Sequence, residues 1–394
     1  MAQSFSVKKY LSKLHAHKLL GELIARNGGQ AFFEISDQTP RKLAIQLMED
    51  SVKSLDTEAR IEITRTLSYI SSITNKHTAR LGKLLFKEET GKDFEPEIEC
   101  ANETDLVLYL SLRHENIADK LAFLAPFYAS KSYLSYEAKS VEQLEAETKL
   151  SELSREFTRL ANKDDNATEH HLEHLFLEGN LYVTSTFHEG YSIESKLNAE
   201  GEADRKSVTR KVQTVRIAYL PKEEIVLLSG NLGKQQKLIF FDTFLRVVTG
   251  GGYEGKVESY NLSPLANLSL DFTSYNKGTP FIKATIKSVT LTYADGKKKL
   301  RLALPSTRDH TGLQALEETL DELGLTERFP SFKIANMAFG FMFQDKEREG
   351  KAVHVNVSIS PTKASLCQLF EYERYAKSIL KNAGIYEGFK LIEK

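Results

Sequence analysis

The chain has 394 residues, of which 41% are hydrophobic and 27% charged, and its formal net charge is −1. A chain of this length exceeds one ordinary core, and its composition is that of a globular protein, so we expect two folded domains. No run approaches the ~18 apolar residues of a membrane helix, the first residues lack the apolar stretch of a signal peptide, and Cys100 and Cys367 are too isolated for a disulfide framework. We therefore predict a cytoplasmic protein with no membrane partner.

The first part of the chain has the periodicity of helices. Apolar residues recur every three or four positions over residues 7–24, which predicts one amphipathic helix ended by Gly28 and Gly29. Polar residues 162–166 end the last helical pattern, so we predict a helical domain over 1–165. The other predicted helices cover 40–55, 57–74, 104–124 (ending before Pro126) and 141–160.

Beyond residue 166 the pattern becomes that of strands. The clearest hairpin signal is 282–304, where two β-rich arms flank Asp295-Gly296, a dipeptide suited to a type I′ turn. Strands alternating with helices in this order predict an α+β fold with a largely antiparallel sheet over 166–394. The predicted strands also include 171–177, 180–189, 191–197, 212–220, 223–230, 333–343 and 352–360, and the predicted helices are 233–248, 311–323 and 369–381.

A glycine-rich segment, GGGYEGKV at 250–257, has the spacing of a phosphate-binding P-loop except at its last position. Val257 lacks the hydroxyl that binds magnesium in such loops, and a predicted helix precedes the segment where a strand is required. We therefore interpret the segment as a glycine-rich helix terminus and expect no nucleotide cofactor.

Two other patterns resemble metal-dependent sites. Glu194 and Lys196 have the D/E-x-K spacing of a nuclease fold, with Glu178 or Glu189 available as a second acid, so a metal-dependent nuclease remains an alternative hypothesis. The segment 169–174, EHHLEH, concentrates potential ligands but has no third ligand at a defined spacing, so we expect no metal there. No G-x-S-x-G nucleophile motif is present.

Charge is distributed unevenly. Residues 201–301 contain 17 Lys and Arg against 9 Asp and Glu, whereas residues 137–178 contain 11 acidic against 5 basic residues. Such asymmetry indicates either an anionic ligand or two surfaces of one protein that attract each other. Tyrosines at 219, 253, 260 and 293 lie close in sequence and could stack on bases. The candidate nucleic-acid-binding residues are Arg205, Lys206, Arg210, Lys211, Lys297, Lys298, Lys299 and Arg301.

Several segments together resemble a family of bacterial hypothetical proteins. They include HLFLEGNLYVTSTF at 174–187, VRIAYLPKEEIVLLSG at 215–230 and the terminal 355–385, and the resemblance extends over most of the chain. It implies one architecture, a bacterial source and a setting in defence or mobile-element biology. It implies no reaction, cofactor or catalytic residue.

These observations favour a non-enzymatic binding protein. We expect the helical domain to contact a protein partner and the α+β domain to contact DNA or RNA through the basic surface of 201–301. The alternatives are the metal-dependent nuclease and a structural or adaptor subunit in which the basic and acidic segments pair.

Overall fold

The computed structural model describes residues 5–29, 35, 39–75, 77–129, 133–141, 146–162, 170–197, 203–266, 272–276, 278–293, 298–304, 312–346, 350–366 and 369–391. For 146–147, 189–197, 203–211, 266, 312–314 and 330 it describes the backbone alone. The predicted Asp295-Gly296 turn and Cys367 lie outside the described residues.

The chain separates into two compact units, Met1–Ala129 and Ser130–Lys394. This division precedes the predicted domain boundary near residue 165. The segments between the two positions belong to the second unit, because strand β1 (Leu134–Glu137) pairs with a strand at 225–228 and helix α8 (Ala146–Ala161) packs on the same sheet.

The first unit is helical, as the periodicity predicts. Apolar residues on the inner faces of its helices are buried, among them Leu20, Ile63, Leu67 and Leu121. Its described helices are α1 (Val7–Leu11), α2 (His17–Arg26), α3 (Arg41–Lys53), α4 (Thr57–Ile73), α5 (Thr78–Thr90), α6 (Glu103–Arg113) and α7 (Glu115–Ala129).

The single helix predicted over 7–24 is wrong, because the chain breaks between α1 and α2. The carboxylate of Asp105, fully buried at the start of α6, accepts hydrogen bonds from the backbone N–H groups of His15 at 2.8 Å and Ala16 at 3.1 Å. These donors lie at the start of α2, where a helix has no carbonyl partners of its own. A residue about 90 positions away therefore supports the break.

The helix predicted over 104–124 is also two helices. His114 leaves the helical conformation, with φ −143° and ψ 66°, and α7 starts at the next residue. Pro126 lies inside α7 rather than beyond its end, and the helix continues only to Ala129.

The second unit contains two five-stranded antiparallel sheets, so the α+β fold is confirmed. The first sheet has the strand order β1-β5-β4-β3-β2, and α8 and α9 cover one of its faces. The segments 180–189 and 191–197, predicted as separate strands, form one strand, β3. Besides β1, the strands of this sheet are β2 (His170–Leu177), β3 (Asn180–Leu197), β4 (Ala203–Leu220) and β5 (Ile225–Gly230). The second covering helix is α9 (Lys234–Phe244).

The second sheet has the strand order β11-β10-β9-β7-β8. Phe339, Phe341 and Phe343 of β9 are fully buried beneath helices α10 and α11, whose residues belong to the same core. Its elements are β7 (Phe281–Thr292), β8 (Lys299–Ala303), α10 (Gly312–Glu322), β9 (Lys333–Gln344), β10 (Ala352–Ser360), β11 (Lys363–Ala364) and α11 (Glu371–Asn382).

A two-stranded ladder of β6 (Lys256–Tyr260) and β12 (Tyr386–Leu391) lies against α11. A buried ion pair joins them, with Lys377 Nζ of α11 2.7 Å from Glu258 Oε1 of β6. Lys377 also lies over the ring of Tyr386, 4.3 Å from its centroid. The sequence patterns predicted neither strand.

Candidate nucleic-acid interface

Strands β7 to β11 form a sheet with two unlike faces. Successive strand residues point to opposite faces, and in β9 Met337, Phe339, Phe341 and Phe343 are buried whereas the residues between them are half-buried. The first set packs into the core under α10 and α11. The opposite side, here called the open face, is lined by small or polar residues such as Thr285, Ser288, Asn336, Ala338, Gly340, Asn356 and Ser358.

The open face is basic. The five strands β7 to β11, all of whose residues are described, contain no Asp or Glu. Their Lys and Arg side chains are all exposed. Register partners place five of them on the open face rather than in the core, and Lys287 is placed there by its hydrogen bond to Asn356. These residues are Lys283, Lys287, Lys299, Arg301, Lys333 and Lys363.

None of these six cations forms an ion pair with a carboxylate in the described part of the chain. The positive charge of Lys363 acts on a neighbouring lysine. Burial, and secondarily the charge of Lys363, lower the pKa of Lys237. Lys287 is held by a neutral partner, since its Nζ donates to Asn356 Oδ1 at 2.6 Å. The positive charge of this face is therefore not neutralised by neighbouring side chains.

The predicted basic residues fall on two different sheets. Lys298, Lys299 and Arg301 are exposed at and in β8, on the second sheet, while Lys297 lies outside the described residues. Arg205, Lys206, Arg210 and Lys211 lie on β4 of the first sheet, in a part where only the backbone is described. The candidate set is thus split between two sheets, as it is between two segments of the sequence.

Sequence reasoning missed Lys283, Lys287, Lys333 and Lys363. The signal that could have found them is the absence of acidic residues from the strand patterns 281–292, 333–344 and 352–360. Which of these positions share a face with Lys299 depends on the β7–β9 and β10–β11 pairings. Those pairings are not visible in the sequence.

The tyrosines proposed to stack on bases do not form a platform. Tyr219 and Tyr260 are 0% and 3% exposed, and burial raises the pKa of both hydroxyl groups. Tyr253 packs edge-on against Tyr136, and Tyr293, although 40% exposed, packs edge-on against Phe332. That part of the prediction is wrong for Tyr219 and Tyr260, because a buried ring cannot stack on a base.

The glycine-rich segment at 250–257 ends a helix, as its sequence context indicates. Helix α9 continues into a π-turn at Leu245–Thr249, and Gly250 then adopts the left-handed conformation with φ 69°. Lys256, the lysine of the P-loop-like spacing, is held by two carboxylates, at 2.9 Å from Glu137 and 2.8 Å from Glu254. These hydrogen bonds raise the pKa of Lys256, so it stays protonated, and the two carboxylates balance the positive charge of its ammonium group.

A cleft of about 260 Å³ lies beside this segment, lined in part by Glu137, Lys139, Glu224, Tyr253 and Lys256.

The histidine-rich segment 170–174 lies in strand β2, and the rings of His170 and His171 form hydrogen bonds with neighbouring side chains. The ring of His170 contacts Thr158 Oγ1 at 2.9 Å and Ser185 Oγ at 3.0 Å, whereas His171 pairs with Glu173 on the other face. Across the described ranges, no three His, Cys, Asp or Glu side chains come together as a metal site requires. Cys100 is a free, half-buried thiol, and burial raises its pKa to about 11.

Glu194 and Lys196 lie on β3 where only the backbone is described. Glu194 pairs with Ser207 and Lys196 with Asp204, and the register of the ladder shifts between these two pairs. The nuclease hypothesis therefore stays a prediction.

No family model matches the chain, and neither a curated protein nor a solved structure matches it. Among the described helices, none combines the length and the apolar character needed to cross a membrane. The open face is therefore the feature of the described residues that points to a function.

Proposed function

We propose that this chain is a non-enzymatic protein that binds the phosphate backbone of nucleic acid through the open face of its second sheet. One observation carries the proposal: the strands of this face hold six exposed cations and no carboxylate. Cations that displace condensed counterions from phosphates supply most of the affinity of non-specific nucleic-acid binding.

The contrast with other basic residues of the second unit supports this proposal. Lys256, Arg246 and Arg374 each form an ion pair with a neighbouring carboxylate at 3.0 Å or less. Ion pairs with neighbouring carboxylates are expected of basic residues on a solvent-exposed surface that binds no ligand. The positive charge of lysines and arginines without such a partner is not balanced by a neighbouring carboxylate, so it can attract an anionic ligand.

Lysine residues on a sheet can also serve to prevent edge-to-edge aggregation. That role needs charges at the edge strands alone. Lys283 and Lys287 precede Ser288, where the pairing of β7 with β8 begins, and Lys333 precedes Met337, where the pairing of β9 with β10 begins, so these residues also lie beside a strand edge among the described strands. Edge protection does not require such cations to share one face that holds no carboxylate, whereas contact with an extended polyanion accounts for that arrangement.

The test is fluorescence anisotropy with labelled DNA and RNA as salt is raised. With six phosphate contacts, the slope of log K against log salt should approach about −5 for a duplex. Lys299→Glu/Arg301→Glu should weaken binding at least about tenfold at low salt. The matched control is Arg155→Glu/Arg159→Glu, which makes the same change in net charge at two exposed residues of α8 that are ion-paired with glutamates.

Equal losses from the two double variants would show that net charge, rather than this face, governs binding. Absence of binding to every probe at low salt would remove the proposal and favour the adaptor role. A first indication comes from the ratio of absorbance at 260 and 280 nm, because a protein with 16 Tyr and no Trp absorbs weakly at 280 nm. In the setting that the family resemblance implies, the bound nucleic acid would belong to a bacterial defence system or a mobile element.

A further inference from the structure

The open face has no Phe, Tyr or Trp. The Phe residues of strands β7 to β11 are Phe281, Phe339, Phe341 and Phe343, and all of them belong to the core or pack against it. Proteins that bind single strands stack successive bases on aromatic side chains. Here His354 on β10 and the guanidinium of Arg301 on β8 could each stack on one base, but they lie on strands separated by β9 and β7 and form no continuous platform.

The centre of the open face is small and uncharged apart from Lys287. Ser288, Ala338 and Ser358 form one cross-strand row, and Thr285, Gly340 and Asn356 form the next. Lys287 lies flat over the second row, with its ammonium on Asn356. A rigid ligand can therefore approach the middle of the sheet closely.

The other cations lie at the periphery and far apart. Lys299 and Lys333 share a cross-strand row through Thr292, whereas Lys283 pairs with Met342 towards the other end of β9. From residue 333 to residue 342 the strand covers about 30 Å at ~3.4 Å per residue.

The separation across the sheet is also large. Arg301 lies on β8 and Lys363 on β11, the two outer strands of the order β11-β10-β9-β7-β8. Four strand spacings of about 4.8 Å put these strands roughly 19 Å apart.

Groups of cations at these separations fit a ligand whose phosphates are already held far apart. One turn of a duplex spans about 34 Å and presents phosphates of two strands at fixed positions. A flexible single strand could reach the same cations only by losing conformational freedom, with little stacking energy to compensate. We infer that the open face is a docking surface for double-stranded nucleic acid, an inference that rests on the proposed function.

The test compares a 20-base-pair duplex with either of its single strands, for DNA and for RNA, using anisotropy at one fixed low salt concentration. The duplex should bind at least about tenfold more tightly than the single strand. Lys283→Glu and Lys299→Glu, from opposite ends of the face, should each weaken duplex binding. Thr290→Trp places a ring beside Arg301 on the open face and should raise single-strand affinity while lowering duplex affinity.

The outcomes separate this inference from the proposed function. Single strands that bind as tightly as the duplex would overturn the inference and leave the proposed function standing. A duplex preference that Lys283→Glu does not reduce would also overturn it, since the far end would then make no contact. Loss of all binding to wild-type protein would remove both. Far-ultraviolet circular dichroism and thermal unfolding of each variant check that it folds.

Discussion

Lys287 reaches Asn356 by crossing the whole width of the strand between them. Its Nζ lies 2.6 Å from Asn356 Oδ1, and its side chain passes over Gly340 of β9. A Cβ atom at position 340 would lie 2.7 Å from Lys287 Cε, which is too close for both atoms to stay in place. Glycine at this position therefore allows a charged side chain to lie flat across the sheet.

The first prediction concerns this crossing. Gly340→Ala should change the free energy of unfolding by less than about 1 kcal/mol, because only the end of a flexible exposed side chain has to move. The Lys287–Asn356 hydrogen bond should nevertheless break. Asn356→Ala should therefore cost less in the Gly340→Ala background than in the wild type, by about 0.5 kcal/mol or more in a double-mutant cycle by urea unfolding. Strict additivity of the two changes would contradict this.

The second prediction concerns the buried ion pair of Glu258 and Lys377, whose side chains are only 8% and 12% exposed. Glu258→Gln should destabilise the protein by about 3–5 kcal/mol at neutral pH, since it removes a buried carboxylate that is hydrogen-bonded to a buried ammonium. The matched control is Glu387→Gln, which breaks the exposed pair with Lys390 on the adjacent strand and should cost less than about 1 kcal/mol. Urea unfolding followed by circular dichroism measures both.

The same pair predicts a dependence on pH. Burial lowers the pKa of Lys377 below 10.5 in the folded protein, against the opposing effect of Glu258. Between this lowered pKa and 10.5 the unfolded chain binds more protons than the native protein, so this residue's contribution to stability rises with pH. Glu258→Gln removes a carboxylate that raises the pKa of Lys377 and should steepen that rise. An unchanged pH profile in the variant would contradict this account.

The third prediction concerns Asp105 in the helical unit. Its carboxylate accepts three backbone N–H groups, from His15, Ala16 and Ala101, and it is fully buried. Asp105→Ala should cost about 3 kcal/mol or more, because buried donors lose a charged acceptor. Asp93→Ala should change stability by less than about 1 kcal/mol, since it removes an exposed pair with Lys87. Equal effects of the two variants on urea unfolding would argue against this role.

The fourth prediction concerns His170, whose ring is held between Thr158 and Ser185. Burial, and secondarily the charge of His171, lower the pKa of His170 in the folded protein. Between that pKa and 6.5 the unfolded chain binds more protons, so stability falls as pH drops through this window, by at most about 1.4 kcal/mol per pH unit.

His170→Gln should make the acid side of the stability profile flatter, whereas His354→Gln, at an exposed residue of β10, should leave it unchanged. Urea midpoints between pH 5 and 7 provide the comparison. A profile that is equally steep in the His170 variant and in the wild type would assign the acid sensitivity to other groups.

Local periodicity was sufficient to predict the helical first unit and most strands of the second. It failed where distant residues decide the outcome. The break between α1 and α2 is supported by Asp105, and β6 pairs with β12 more than a hundred residues later, so neither could be found from a local pattern.

The candidate interface shows the same limit. The excess of Lys and Arg in 201–301 was visible, and Lys299 and Arg301 do lie on an exposed, basic face. The sequence could not show that Arg210 lies on a different sheet, or that Lys333 and Lys363 share one face of the second sheet with Lys299 and Arg301. Proximity along the chain is not proximity in an antiparallel sheet, because register depends on turns and bulges.

The charges on the two outer strands of the second sheet also affect how copies of the chain meet. Lys299 and Arg301 lie on β8, and Lys363 lies on β11, the strands to which a neighbouring molecule would have to add its own strand. Electrostatic repulsion there opposes growth of the sheet from one molecule to the next. A shared polyanion cancels that repulsion, so the residues that keep molecules apart in dilute solution would let them crowd along one long ligand.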